Sequence, residues 1–224
     1  MTEVNDLAEF YHNFLEPTKT VYSMWVIIAV IALFAFLCTR KIKEVPGPLQ
    51  NIAEMAVSGL MGFYSGIMGE KKMRQNFPVL ATFFIFIVVT NYCGLFPGAG
   101  SLYTVPTSVL AVTAGLSVVA FMTIQTQGIK HHGALGYLKT FTKPVALLFP
   151  IMIIEQFIRP VSMALRLYGN IYGEELATET LFELFPLVLP IVMNVLSLLF
   201  CFIQAMVFSM LLGMFINEAT EDEE

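Results

Sequence analysis

The sequence predicts an all-α polytopic membrane protein of about five transmembrane helices plus an interfacial helix, the last two long and steeply inclined as a hairpin. Three observations lead there. Of 224 residues, 57% are hydrophobic and only 13% charged, about half the charged share usual in a soluble domain. With Phe 20 and Met 13 there is more apolar surface than a water-facing domain of this size could hide. Charge-free runs long enough to cross a bilayer recur, and the last run is too long to cross it upright.

The run 20–39 (TVYSMWVIIAVIALFAFLCT) carries no charged side chain and matches the roughly 20 residues that span a hydrocarbon core. It is the first span. The preceding segment contains Glu3, Asp6, Glu9 and Glu16 and lacks a basic start, so no cleavable signal is expected and the span stays in the mature chain. After Arg40, Lys41 and Lys43, the prolines at 46 and 48 stop the helix.

In 49–68, Ile52, Met55, Ala56, Leu60 and Phe63 recur at helical spacing among Gly, Ser and Glu, the pattern of a helix lying in the interface. A further span is the alternative. Between Arg74 and Lys130 lie 55 residues without Asp, Glu, Lys or Arg, interrupted by GLFPGAGSLYTVP. That length makes two spans joined by a turn, at 77–95 and 106–125. The segment with Lys130, His131, His132, Lys139 and Lys143 follows. Adjacent histidines on a helix diverge by about 100°, so they read as solvated loop residues. Cys38, Cys93 and Cys201 lie in apolar runs and read as packing residues, with neither a disulfide framework nor a metal spacing.

Nine of the twelve Lys and Arg fall within 40–74 and 130–143. The positive-inside rule makes those segments cytoplasmic. The N-terminus and the acidic segment 174–183 then face outside, and the solvated tail EATEDEE lies in the cytoplasm.

The helix predicted over 145–184 is apolar yet carries Glu155, Arg159, Ser162, Arg166, Asn170 and Glu174, at steps of 4, 3, 4, 4 and 4. Those steps hold one helical face. An arginine in mid-membrane costs at least about 2.5 to 3.5 kcal/mol and cannot shed its charge, so it needs water or a carboxylate. Glu155 and Arg159 can neutralise one another. Arg166 has no such neighbour on its own helix, and intramembrane charge marks an ion path by default. The last run, 184–217, is 34 residues without a charge, about 51 Å of helix against a core of about 30 Å. Two consecutive over-long helices must tilt or break, hence an inclined hairpin of 145–184 and 186–217. On the second helix Asn194, Ser197, Cys201 and Gln204 step by 3, 4 and 3. Facing the first stripe, this weaker polar face is expected to offer Arg166 a neutral amide from Gln204.

The string RPVSMALRLYGNIYGEE, residues 159–175, resembles the signature of subunit a of the rotary F-type ATP synthases. VPGPLQNIAE, NYCGLFPG, GIKHHGALGYLK and FIQAMVFSML follow the same family's order, so the resemblance runs from Val45 to Leu211. It implies that Arg166 is the stator arginine, Asn170 and Glu175 its Asn and acidic partner on the same helix, and Gln204 the glutamine of the facing helix. It also implies partners: a ring of small proteolipids, subunit c, each bearing a carboxylate, the peripheral stalk subunit b and, indirectly, the catalytic head. The chain would form two offset aqueous half-channels and bind neither ATP nor any cofactor.

Under that resemblance H+ or Na+ would enter along Glu174, Glu175, Glu179 and Asn170 and leave past Ser162 and Glu155. Arg159, Asn194 and Ser197 complete the candidate set. The chain departs from the family pattern at Val109 and Ala111, where many relatives have an acidic residue and an Asn. It departs also at Met152, where a Glu is frequent, and at Ser197, where some have a histidine. The first departure weakens any contribution of polar groups from the span containing PTSVLAVT to the outer channel, and positions 109 and 111 receive no site. A bacterial plasma membrane is the expected setting, with lipid as solvent and no nucleic acid as partner. The competing reading is a solitary carrier or channel with Arg166 as an anion site; no inverted repeat supports it. An intramembrane enzyme is disfavoured, since HExxH, GxSxG and GxxxxGK[ST] are all absent from the sequence.

Overall fold

The computed structural model describes residues 17–40, 47–95, 104–133, 136, 149–184 and 189–221. The acidic N-terminal segment, Lys41, Lys43, Lys139, Lys143 and the last three residues of the tail lie outside them. So do the turn 96–103 and the join 185–188 between the last two helices. Five α-helices account for most of the described chain: α1 Pro17–Thr39, α2 Pro48–Cys93, α3 Leu110–His132, α4 Phe149–Leu184 and α5 Leu189–Ala219. A 3-10 turn, Pro106–Ser108, precedes α3. Lys19–Thr39, Gln50–Cys93, Leu110–His132 and Val192–Ala219 are long and apolar enough to cross a membrane. The remaining helix, α4, is 36 residues long and bears the charged stripe.

The sequence pattern separates an interfacial helix at 49–68 from a span at 77–95. In the structure both belong to α2, and residues 70–76 between them are helical as well. The division falls at one residue, Gly69, whose φ of 74° and ψ of 158° break the helical path. Only glycine occupies that backbone region without a Cβ penalty. Pro48 opens α2 where its missing N–H costs nothing. At the other end the Gly94 N–H reaches the carbonyl of Asn91.

The core is a cluster in which α5 is central. Ala205, Phe208, Leu212 and Ile216 recur along one face of α5 and are buried. They meet Tyr64, Leu80, Phe83 and Ile87 of α2, Ala120 and Ile124 of α3, and Met163 and Leu167 of α4. Phe83 and Phe208 stack with ring centroids 5.9 Å apart. Without a hydrophobic drive between helices in lipid, this close packing and the interhelical hydrogen bonds hold the bundle. Tyr64 binds Ser209 at 2.7 Å, and Lys72 Nζ donates to Asn217 Oδ1 at 3.1 Å. Helix α1 stands apart: Ile27 is its one buried residue among those described, and Tyr22, Trp25, Val26 and Leu33 are exposed.

Candidate functional site

Helix α4 sets the candidate residues along its length, and α5 runs antiparallel to it: Arg159 meets Glu218 near one end, and Glu174 meets Cys201 towards the other. At the first end, Arg159 Nη2 donates to Glu155 Oε1 at 2.9 Å and to Glu218 Oε1 at 2.6 Å. Its guanidinium carbon lies 4.7 Å from the centroid of Phe215, a cation–π contact. The side chain is 11% exposed while each carboxylate is 56% exposed. One turn back towards the helix start, Gln156 Oε1 accepts from Gln125 Nε2 of α3 at 3.3 Å. A cleft of about 410 Å³ lined by Ile67, Met210, Met214, Phe215, Glu218 and Glu221 opens beside Glu218.

Arg166 lies on the outer side of α4. It is exposed with Ser162, Leu165 and Gly169, while Met163, Leu167 and Ile171 are buried. Among the described residues it makes no hydrogen bond or ion pair. The expected amide from Gln204 is therefore not in place. Gln204 is turned into the bundle at 7% exposure, with its Nε2 unpartnered. The reason is angular. Adjacent residues on a helix are about 100° apart, so burying Leu167 in the core swings Arg166 away from it. The stripe is continuous, yet it flanks the buried face instead of forming it.

Towards the other end of α4, Glu174 lies near Ser197, and Glu175 near Ser108 in the 3-10 turn. Cys201 Sγ is 3.9 Å from Glu174 Oε2. Ser197 is buried and Asn194 exposed; the side chain of Glu179 lies outside the description. Val105, Ile171 and Cys201 pack into a small second cluster with Tyr92. Several side chains next to these in sequence hold buried polar atoms without a partner: Asn170 Nδ2, Gln204 Nε2, both amide atoms of Asn91 and Thr107 Oγ1. Ser117 Oγ of α3 is in the same condition. Buried polar groups normally find a protein or water partner.

The structure thus brings Glu155 and Arg159 together, and Glu174 and Ser197 together. It leaves Arg166, Ser162 and Asn194 facing outward. Sequence reasoning misses Glu218, Ser108, Asn91, Thr107 and Ser117. The segment PTSVLAVT, which receives no site at Val109 and Ala111, places Thr107 and Ser108 against the bundle. Lone hydroxyls in an apolar run carry no periodic signal. Glu218 sits in what reads as a solvated tail, and only the antiparallel packing of α5 on α4 could have flagged it. Among the described residues no group of three or more His, Cys, Asp or Glu could hold a metal ion.

The model of the family described as "ATP synthase A chain" matches residues 21–217. Among similar proteins, "ATP synthase subunit a 3" of Pelobacter propionicus is 41% identical, the alignment covering 96% of each chain. "ATP synthase subunit a" of Moorella thermoacetica is 36% identical over 94% of each. That of Trichlorobacter lovleyi is 38% identical over 96% of this chain and 93% of its own. The helices long enough to cross a membrane, the charged α4 and these matches along nearly the whole length agree, and the chain belongs to the ATP synthase A chain family, as a multi-pass membrane protein.

Proposed function

We propose that this chain is the ion-translocating stator of an F-type ATP synthase, forming two offset half-channels that load and unload the carboxylates of a rotating proteolipid ring. The observation that carries the reading is Arg166: a permanent cation on the outward side of α4, with no counter-charge among the described residues. An arginine in lipid needs an anion or water. A carboxylate brought past by a partner would satisfy it in turn and be held ionised while it is there. The same charge would repel a cation attempting to pass directly between the two paths.

The outer path would run by Glu174, Glu175 and Asn170 towards Gln204, with Asn194 and Ser197 on the facing helix. The unpartnered buried amides and hydroxyls nearby favour water there over a dry core. The cytoplasmic path would leave past Ser162 and Glu155, close to the cleft beside Glu218. In this arrangement the N-terminus is outside and the C-terminus in the cytoplasm of a bacterial plasma membrane, with the stalk subunit b alongside. Each elementary charge crossing 100 mV contributes about 2.3 kcal/mol, so a leak around Arg166 would waste the gradient.

The test is Arg166→Ala in the assembled complex. The expected result is loss of gradient-driven ATP synthesis with a normal amount of complex in the membrane. Coupled synthesis at the parental rate per complex would overturn the reading.

A further inference from the structure

We propose that Glu218 is a positioning residue for the stator arginine: with Phe215 it grips Arg159 and so fixes the rotation of α4 about its own axis. The inference rests on the role of Arg166 given above. Arg166 itself has no tether among the described residues, so its direction is set by the rotation of the helix that carries it. That rotation must be held elsewhere.

The nearest interhelical polar grip towards the start of α4 is Arg159, seven residues before Arg166. Seven residues are nearly two turns, so the two arginines project within about 20° of each other, about 10 Å apart along the axis. Pro160 lies between the two arginines, yet the segment is helical throughout, so a turn of α4 that swings Arg166 carries Arg159 with it. At a side-chain radius of about 6 Å, a 20° turn moves a group by about 2 Å. That displacement is enough to break the 2.6 Å contact with Glu218 and to slide the guanidinium off Phe215.

Glu155 cannot do this work, because it rides on α4 with Arg159 and constrains only the side chain. Glu218 and Phe215 belong to α5, which is anchored independently to α2 through Tyr64–Ser209 and Lys72–Asn217. Asn217 and Glu218 are consecutive residues, so the end of α5 joins α2 to α4 at one point. On the far side of Arg166 the polar contacts to α5 are the 3.9 Å approach of Cys201 to Glu174 and the nearness of Ser197 to Glu174. Neither is an ion pair. Packing of Met163 and Leu167 in the core and the Gln125–Gln156 hydrogen bond from α3 also hold α4, and Glu218 adds to them the one interhelical ion pair on the stripe among the described residues.

The experiment measures gradient-driven ATP synthesis per assembled complex for Glu218→Ala, for the isosteric Glu218→Gln and for the exchanged pair Arg159→Glu with Glu218→Arg. The exchange keeps one arginine between two carboxylates. The first two are expected to lose about fivefold or more per complex, and the exchanged pair to recover to within about twofold of the parent. Where Glu218→Ala lowers the amount of complex, Glu218→Gln decides, since it keeps the shape and removes the charge. Unchanged synthesis per complex in Glu218→Gln overturns the proposal. Failure of the exchanged pair to recover also overturns it, because the carboxylate at 218 would then matter for its place and not for its grip. Arg166→Ala is measured alongside: loss there with unchanged Glu218→Gln removes only the grip, whereas retained synthesis there removes the stator reading on which the grip depends.

Discussion

Tyr64 donates a 2.7 Å hydrogen bond to Ser209, 145 residues away in the chain, and neither side chain reaches solvent. Ser209 in turn donates a hydrogen bond to the carbonyl of Ala205 at 3.0 Å. The pair ties the first half of α2 to α5. Tyr64→Phe keeps the ring and its edge contacts with Phe63 and Phe77 but leaves Ser209 without its donor. A loss of about 0.5 to 1.5 kcal/mol is expected. It is read as a lower thermal midpoint of the detergent-solubilised protein, and an unchanged midpoint would contradict it.

Two glycines of α2 predict opposite signs for one substitution. Gly69 has φ of 74°, so although a Cβ would meet nothing within 4 Å, Gly69→Ala strains the backbone by about 1 kcal/mol or more. Gly62 is in regular helix with equally open space around it. Gly62→Ala is expected to be neutral or stabilising by up to about 1 kcal/mol. Thermal midpoints of the two variants measured side by side must fall on opposite sides of, or in that order around, the parent.

Gln204→Leu fits a buried site of similar volume and removes an amide whose Nε2 has no protein partner. Folding is expected to be unaffected, and gradient-driven synthesis to fall partially, by roughly three- to tenfold. Complete loss with normal assembly would assign the glutamine a role beyond wetting the path.

Thr107→Val tests whether the polar atoms around the 3-10 turn are hydrated. In a dry site, replacing an unpartnered hydroxyl by a methyl stabilises by about 1 kcal/mol and leaves transport alone. On the proposed path it slows synthesis severalfold, with little change in midpoint. Measuring both quantities on one preparation separates the outcomes.

The helical class and the charged stripe are both legible in the sequence, because charge-free runs and steps of 3 and 4 are local properties. Glu155 is legible as a partner of Arg159 for the same reason, being one turn away. Glu218, the other partner, is 59 residues distant, and no periodicity links it. Spacing also leaves the azimuth of a stripe undetermined. That Arg166 faces outward and Gln204 inward follows from which residues the bundle buries, namely Met163, Leu167 and Ile171 on α4. Asn91, Thr107 and Ser117 lie in charge-free, largely apolar runs with no helical polar stripe to mark them, so their burial is a tertiary fact. The break in α2 rests on a single backbone angle at Gly69, where GEKK reads equally well as a separator between two helices.

The near-complete exposure of α1 carries a consequence for how its sequence is constrained. Around most of its circumference no other described helix of this chain covers it, and where hydrocarbon is the neighbour Leu is distinguished from Ile or Phe hardly at all. Shuffling its outward residues would leave hydropathy, and hence retention in the bilayer, untouched, while Ile27 and the side facing α2 would tolerate no such reordering. This first helix is held chiefly by partition between two solvents, and its letters are free to drift wherever no protein surface reads them.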